Sequence, residues 1–164
     1  MVMPPSPPDL SSFSAILQLP FGGFGLRFAD EQLTELRFLP PEAPAVPPGT
    51  PHARRVTEQI CAWLAAPDTA VNVLPTEHGT PFQRAVWKAI RAIPCGQTRT
   101  YGELARLVGG SPRAVGQACG ANPFPLLTPC HRVVSRQGLG GFANATDGYL
   151  LAAKRWLLQN EGAI

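Results

Sequence analysis

The sequence predicts an α+β fold: a small N-terminal antiparallel sheet with a helix, followed by a mainly helical C-terminal domain with a helix-turn-helix. Three observations carry this. Short alternating apolar segments fill residues 15–39. From residue 79 onward, apolar residues recur at helical spacing behind strong N-cap signals. Two helices of that second half are short and are joined by a glycine turn.

Residues 1–12 are rich in proline and serine and are predicted to be disordered. Residues 13–78 read as the sheet-plus-helix domain. Its strands are Ala15–Leu19 and Phe24–Phe28, joined through Pro20-Phe21-Gly22-Gly23, and a third at Leu33–Leu39. Six prolines from Pro40 to Pro51 oppose regular structure there. His52 to Ala66 sets Val56, Ile60, Trp63 and Leu64 on one stripe, an amphipathic helix. No catalytic constellation is visible in this domain.

Residues 79–164 form the second domain. Thr80 is an N-cap, Pro81 a first helical residue and Gln83 the closing member of a capping box. Phe82, Val86 and Ile90 then repeat every fourth residue, and Ile93-Pro94-Cys95-Gly96 ends the helix. Thr100-Tyr101-Gly102-Glu103 opens a second helix running through Val108, and Gly109-Gly110 makes a turn. Ser111-Pro112 starts a third helix that runs to about Gly120. The last helix, from about Tyr149 to Asn160, buries Leu150, Ala153, Trp156 and Leu157, with Gly162 as its C-cap.

Composition narrows the function. No apolar run approaches the roughly 20 residues that span a bilayer, and residues 1–8 lack the pattern of a signal peptide. A cytoplasmic protein is expected, with no membrane partner. The four cysteines, at 61, 95, 119 and 130, lack metal-ligand spacing and are expected to be reduced thiols, Cys61 and Cys119 being packing residues. Charge is split along the chain. Residues 1–79 hold four arginines against eight acids, whereas residues 80–164 hold ten Arg or Lys against three acids. The basic half is where a polyanion such as nucleic acid would bind.

The third helix of the second half has an outward face of Arg113, Gly116, Gln117 and Gly120. Reading bases in a major groove calls for several long hydrogen-bonding side chains, and here there is one arginine. Small residues either let the backbone approach a groove or pack against a neighbour; the pattern leaves both open.

Pro129-Cys130-His131-Arg132-Val133 sets a thiol beside an imidazole. Adjacent residues in an extended loop point opposite ways, so adjacency does not separate a reactive thiol from a buried one. Glu161 stands at a helix C-terminus, an unfavourable place for a carboxylate without a partner. It is either solvated or hydrogen-bonded to His131, which would give a Cys–His–Glu arrangement.

Taken in order, Gly79-Thr80-Pro81-Phe82-Gln83, Val86-Trp87, Ile93-Pro94, Thr100-Tyr101-Gly102-Glu103-Leu104-Ala105, Arg113-Ala114-Val115-Gly116, Asn122-Pro123, Pro129-Cys130-His131-Arg132-Val133-Val134 and Trp156 through Gly162 resemble the O6-alkylguanine-DNA alkyltransferase family. The resemblance covers nearly all of residues 79–162. It implies an RNase H-like N-terminal unit and single-turnover, irreversible transfer of an alkyl group from O6-alkylguanine in double-stranded DNA to Cys130, after minor-groove binding and base flipping. O4-alkylthymine is a further candidate lesion.

The resemblance also implies residue roles. His131 would deprotonate Cys130 through a water, Glu161 orient the imidazole, and Asn122 brace the turn beside the acceptor loop. Tyr101 would contact the flipped base, Arg113 fill the vacated stack, and Val133 offer its carbonyl to the guanine amine. Ala114, Gly116, Gln117, Arg132 and Phe142 complete the expected DNA- or base-facing set. No cofactor and no metal are implied, and a monomer is expected.

Two departures from the family pattern stand out. The segment between Tyr101 and Arg113 is two residues shorter than is common in the family. The loop from Ala143 to Gly148 is longer and more polar, and Phe142 replaces the usual tyrosine. Both bear on the alkyl pocket and on the DNA-facing helix. Two other readings compete: a non-catalytic lesion-binding protein, against which stands the cysteine at position 130, and a thiol hydrolase, against which stands the absence of an ester or peptide site.

Overall fold

The computed structural model describes residues 10–69, 71–73, 78–140 and 148–164. Three strands, β1 (Ala15–Leu19), β2 (Gly22–Ala29) and β3 (Gln32–Leu39), form an antiparallel sheet in sequence order. The register sets Ala15 opposite Leu26, Leu17 opposite Phe24, and Phe24 opposite Phe38, so one face collects aromatic and aliphatic side chains. β2 begins two residues earlier than the sequence predicts, because Gly22 and Gly23 pair with Leu19 and Gln18.

The opposite face is also covered near its edge. Phe13, Ile16, Leu39 and Ala43 form a small second cluster, with Leu10 packed on it from a short 3-10 turn, Leu10–Ser12. Gly25 makes that cluster possible, since a Cβ there would meet the Phe13 ring at 2.6 Å. The proline-rich segment is irregular except at Val46, which exchanges backbone hydrogen bonds with Ile16 at 2.9 and 3.0 Å.

Helix α1 (Pro51–Ala65) starts behind the Thr50 N-cap and buries Ala53, Val56, Ile60 and Trp63. Helix α2 (Pro81–Arg91) carries the full capping box, Thr80 Oγ1 accepting from Gln83 N and Gln83 Oε1 from Thr80 N. Helix α3 (Tyr101–Val108) ends at Gly109, whose φ of 79° gives the left-handed C-cap that the turn requires. Helix α4 (Pro112–Gly120) follows three residues after α3 ends, and α5 (Gly148–Asn160) closes the chain. Two-residue strands β4 (Arg99–Thr100) and β5 (Val133–Val134) add a parallel pair that the sequence did not reveal.

Sheet and helices share one core. Phe24, Leu26, Leu36 and Phe38 of the sheet are contiguous with Trp63, Val86, Ile90, Leu104, Val115, Val133 and Leu157. Directed hydrogen bonds fix how the parts meet. Trp87 Nε1 donates to Ala118 O at 2.8 Å, tying α2 to α4. Leu36 N donates to Pro123 O at 2.9 Å, tying β3 to the loop after α4. Asn160 Nδ2 donates to Leu64 O at 3.0 Å, tying the end of α5 to α1. No helix among the described residues is long and apolar enough to cross a membrane.

Candidate active site

The loop after α4 ends in a single 3-10 turn, Cys130–Arg132, which leads into β5. All three of its side chains are buried. Pro125 and Pro129 stiffen the approach, and Asn122 locks it. Asn122 Nδ2 donates to Thr128 O at 2.9 Å and to Cys130 Sγ at 3.1 Å, while its Oδ1 accepts from Phe124 N at 2.9 Å. Every polar atom of that amide therefore holds the acceptor loop.

His131 lies wholly inside, with Trp63 of α1 edge-on at 6.2 Å between ring centroids. Its Nε2 is 2.8 Å from Glu161 Oε2, and the Glu161 side chain is fully buried. Of the two readings left open for Glu161, the paired one is correct. A carboxylate only accepts, so the imidazole proton belongs on Nε2, leaving Nδ1 as the basic nitrogen. Burial holds the His131 pKa below its usual value despite the opposing pull of Glu161, so the ring is neutral near pH 7. For Glu161, burial works against ionisation, but hydrogen bonds from His131 and Arg132 and their charge outweigh it, holding its pKa down to about 2.

Arg132 departs from the DNA-facing set. Its guanidinium turns inward, with Nε 2.8 Å from Glu161 Oε1, Nη2 3.0 Å from Oε2 and Nη1 2.8 Å from Ile93 O. The physical reason is the helix terminus: Glu161 needs a cation, and Arg132 supplies a two-pronged one. Arg132 is thus a brace for the carboxylate.

The sequence reading also missed Lys154. It lies at 0% exposure on the apolar stripe of α5, three residues before Leu157 and four before Leu158. That position was the available signal. Leu150 and Trp156, expected inside, are only half-buried. Lys154 Nζ donates to Val133 O at 2.7 Å and stands 5.9 Å from the Tyr101 ring centroid. Burial pulls its pKa down to about 8, while the neighbouring Cys119 and Cys130 favour its charged form. Replacing Lys154 with methionine is expected to slow alkylation of Cys130 about tenfold by removing a nearby positive charge, read from the pH dependence of thiol alkylation.

Cys130 is not a preformed thiolate. Its hydrogen bond to Cys119 and its burial push the thiol well above its usual pKa, with Asn122 and Lys154 pulling the other way. Cys119, expected to be a packing residue, lines the same cavity of about 400 Å³ as Cys130 and Asn122. Tyr101 is half-buried at the start of α3, and burial raises its pKa, keeping the phenol protonated and able to donate.

On the outer side, Arg113 and Gln117 are exposed, and Ala114 and Gly116 half-buried, along α4. At Gly116 a Cβ would meet only Tyr101 Cε1, at 4.0 Å. Internal packing therefore does not demand a glycine there. The small face lies open beside the tyrosine. Val133 is buried, and its carbonyl already accepts from Lys154. Phe142 and the segment 143–147 lie outside the described residues, and Gly148 opens α5.

Fold and site together define an α+β helix-turn-helix protein with a buried His–Glu pair next in sequence to a buried cysteine. The family model for the DNA-binding domain of 6-O-methylguanine DNA methyltransferase matches residues 81–163. The methylated-DNA–protein-cysteine methyltransferase of Salmonella typhimurium is 45% identical over 111 residues, which cover 65% of this chain and 62% of that protein. That of Methanosarcina acetivorans is 40% identical over 113 residues, covering 67% and 69%. Among solved structures, Mycobacterium tuberculosis O6-methylguanine methyltransferase is 33% identical with a TM-score of 0.73, covering 90% of this chain and 91% of that one. A structure of the M. tuberculosis protein in complex with DNA gives 34% and 0.73 over the same shares. The chain belongs to the 6-O-methylguanine DNA methyltransferase family. The matched region spans about three-fifths of the length of the first curated relatives, 62% in the S. typhimurium protein.

Proposed function

We propose that this protein repairs double-stranded DNA by moving an alkyl group from O6 of guanine onto Cys130, once per molecule and irreversibly. The observation that carries this reading is the buried His131–Glu161 pair at 2.8 Å beside a cysteine held by Asn122. A thiol with a raised pKa needs a base, and a neutral imidazole whose Nε2 proton is committed to a carboxylate offers one at Nδ1. A water relays the thiol proton to that nitrogen.

The thiolate then attacks the alkyl carbon. The sulfur–carbon bond forms, the carbon–O6 bond breaks, and its electron pair passes into the purine. Tyr101 supports the departure as proton donor. The thiol proton is returned through His131, so the net change is a thioether and an unmodified guanine. No group in the site hydrolyses a thioether, and the acceptor is consumed. The reaction calls on no cofactor or metal.

Access requires the lesion to leave the stack, which costs a few kcal/mol and less for a mispaired base. The open, small face of α4 allows close approach to a minor groove, with Arg113 filling the space vacated by the base. Arg113→Ala is expected to slow transfer from duplex far more than transfer from free O6-methylguanine; equal losses on both substrates would contradict the role. Binding should also weaken steeply as salt rises, because phosphate contacts release counterions. The protein acts as a monomer in the cytoplasm.

The test is intact-protein mass spectrometry after incubation with a duplex carrying one O6-methylguanine. A gain of one methylene, mapped by digestion to Cys130, is the expected result. Tight binding to that duplex without a mass change would replace repair with lesion sensing.

A further inference from the structure

The reaction above uses one cysteine, yet two thiols meet in the site. Cys119 sits in the last turn of α4, and Asn122, two residues beyond that helix, donates to Cys130 Sγ at 3.1 Å. Cys119 and Cys130 line the same cavity of about 400 Å³, between β3, α4 and α5, and each thiol shifts the ionisation of the other. Cys119 is half-buried and Cys130 buried. Lys154 acts electrostatically on both sulfurs.

We propose that Cys119 is a peroxide-sensing thiol, whose oxidation closes a reversible Cys119–Cys130 disulfide that takes the acceptor out of use and shields it from irreversible oxidation. The Cys119 thiolate attacks the distal oxygen of a hydroperoxide. The O–O bond breaks, the alcohol (or water, from hydrogen peroxide) departs with a proton, and Cys119 becomes a sulfenic acid. Cys130 then attacks that sulfur, a water leaves, and the disulfide forms. The two thiols lose two electrons and two protons in all, which reduce the peroxide.

Two features favour this order. The hydrogen bond from Cys130 lowers the Cys119 pKa, with Lys154 assisting against the cost of burial, so Cys119 ionises first. Cys130 lines the same cavity as the sulfur it would attack. Cys130 left alone with peroxide would pass through the sulfenic acid to sulfinic and sulfonic acids, which thiols do not reverse. A disulfide is reopened by a small thiol. The functional consequence rests on the alkyl-transfer reading; the disulfide chemistry does not.

The full chain is treated with hydrogen peroxide, free thiols are blocked, and digests are mapped by mass spectrometry. Transfer from O6-methylguanine duplex is assayed before and after dithiothreitol. The expected result is a Cys119–Cys130 cross-linked peptide, complete loss of transfer, and full recovery on reduction. Cys119→Ser should form no cross-link, and whatever transfer rate it starts from, it should lose that activity to peroxide without recovery. Cys130→Ala should leave a sulfenic acid on Cys119 that a dimedone probe labels, a readout that needs no activity.

Oxidation confined to exposed Cys61, with Cys119 unmodified in both wild type and Cys130→Ala, would overturn the proposal. So would equal recoverability of wild type and Cys119→Ser. A cross-link in a protein that never accepts an alkyl group would keep the thiol pair and remove the repair reading instead.

Discussion

Cys130→Ala is expected to reduce alkyl transfer to background while leaving affinity for alkylated duplex within a few-fold. Cys130 is 5% exposed and offers DNA no surface of its own; its contribution is the sulfur that forms the new bond. Neither Cys119 nor Cys95 replaces it. The Asn122 amide that holds the acceptor donates to the sulfur at position 130, and burial raises the pKa of Cys95, leaving less of its reactive thiolate. The stability change should stay within about 1 kcal/mol, since Asn122 loses one acceptor but keeps Thr128 O. Cys130→Ser should be equally inactive, because an alcohol is far harder to ionise than a thiol. The checks are the mass of the protein after incubation with lesion-bearing duplex and a binding isotherm on the same duplex. Residual transfer in the alanine variant would remove Cys130 from the chemistry.

Glu161→Ala is expected to cost both activity and stability. The carboxylate accepts from His131 and from two nitrogens of Arg132, and its side chain is fully buried. Removing it leaves the Arg132 cation buried with the Ile93 carbonyl as its remaining partner among the described residues, the situation in which breaking an ion pair costs about 3–5 kcal/mol. Glu161→Gln keeps the shape and one acceptor, so it should fold better yet still transfer roughly a hundredfold more slowly, as His131 loses the anion that raises its basicity. Urea midpoints and single-turnover rates separate the two effects. Gln transferring at the wild-type rate would show that the charge is not needed.

The same carboxylate sets an acid limit. Its pKa falls from 4.5 to about 2 on folding, so its contribution is fully present above about 4.5. That contribution declines as pH drops and is gone below about 2. Wild type should therefore lose stability across this window, and Glu161→Gln should lose less. Denaturant midpoints measured between these limits test the sign. A steeper acid loss in the Gln variant would contradict it.

Much of this protein was legible in its sequence because the signals are local. Thr80-Pro81 with Gln83, Thr100 and Ser111-Pro112 are N-caps, and a cap is a contact between residues three apart in the chain. The alternation of β1 to β3 and the stripe of α1 are equally local, and both placed their elements to within a residue or two. The Cys130-His131 pair marked the site by its residue types.

Tertiary structure decided what those residues do. Whether Glu161 is solvated or paired depends on α5 ending beside residues 30 positions earlier in the chain. The inward turn of Arg132, the burial of Lys154 and the meeting of Cys119 with Cys130 have the same origin. Each reflects a charged or polar group removed from water, which is tolerated only where distant chain segments bring a partner. Local pattern reports where a side chain sits along its own helix or strand. It does not report which hydrogen-bonding atoms the rest of the fold carries to that place.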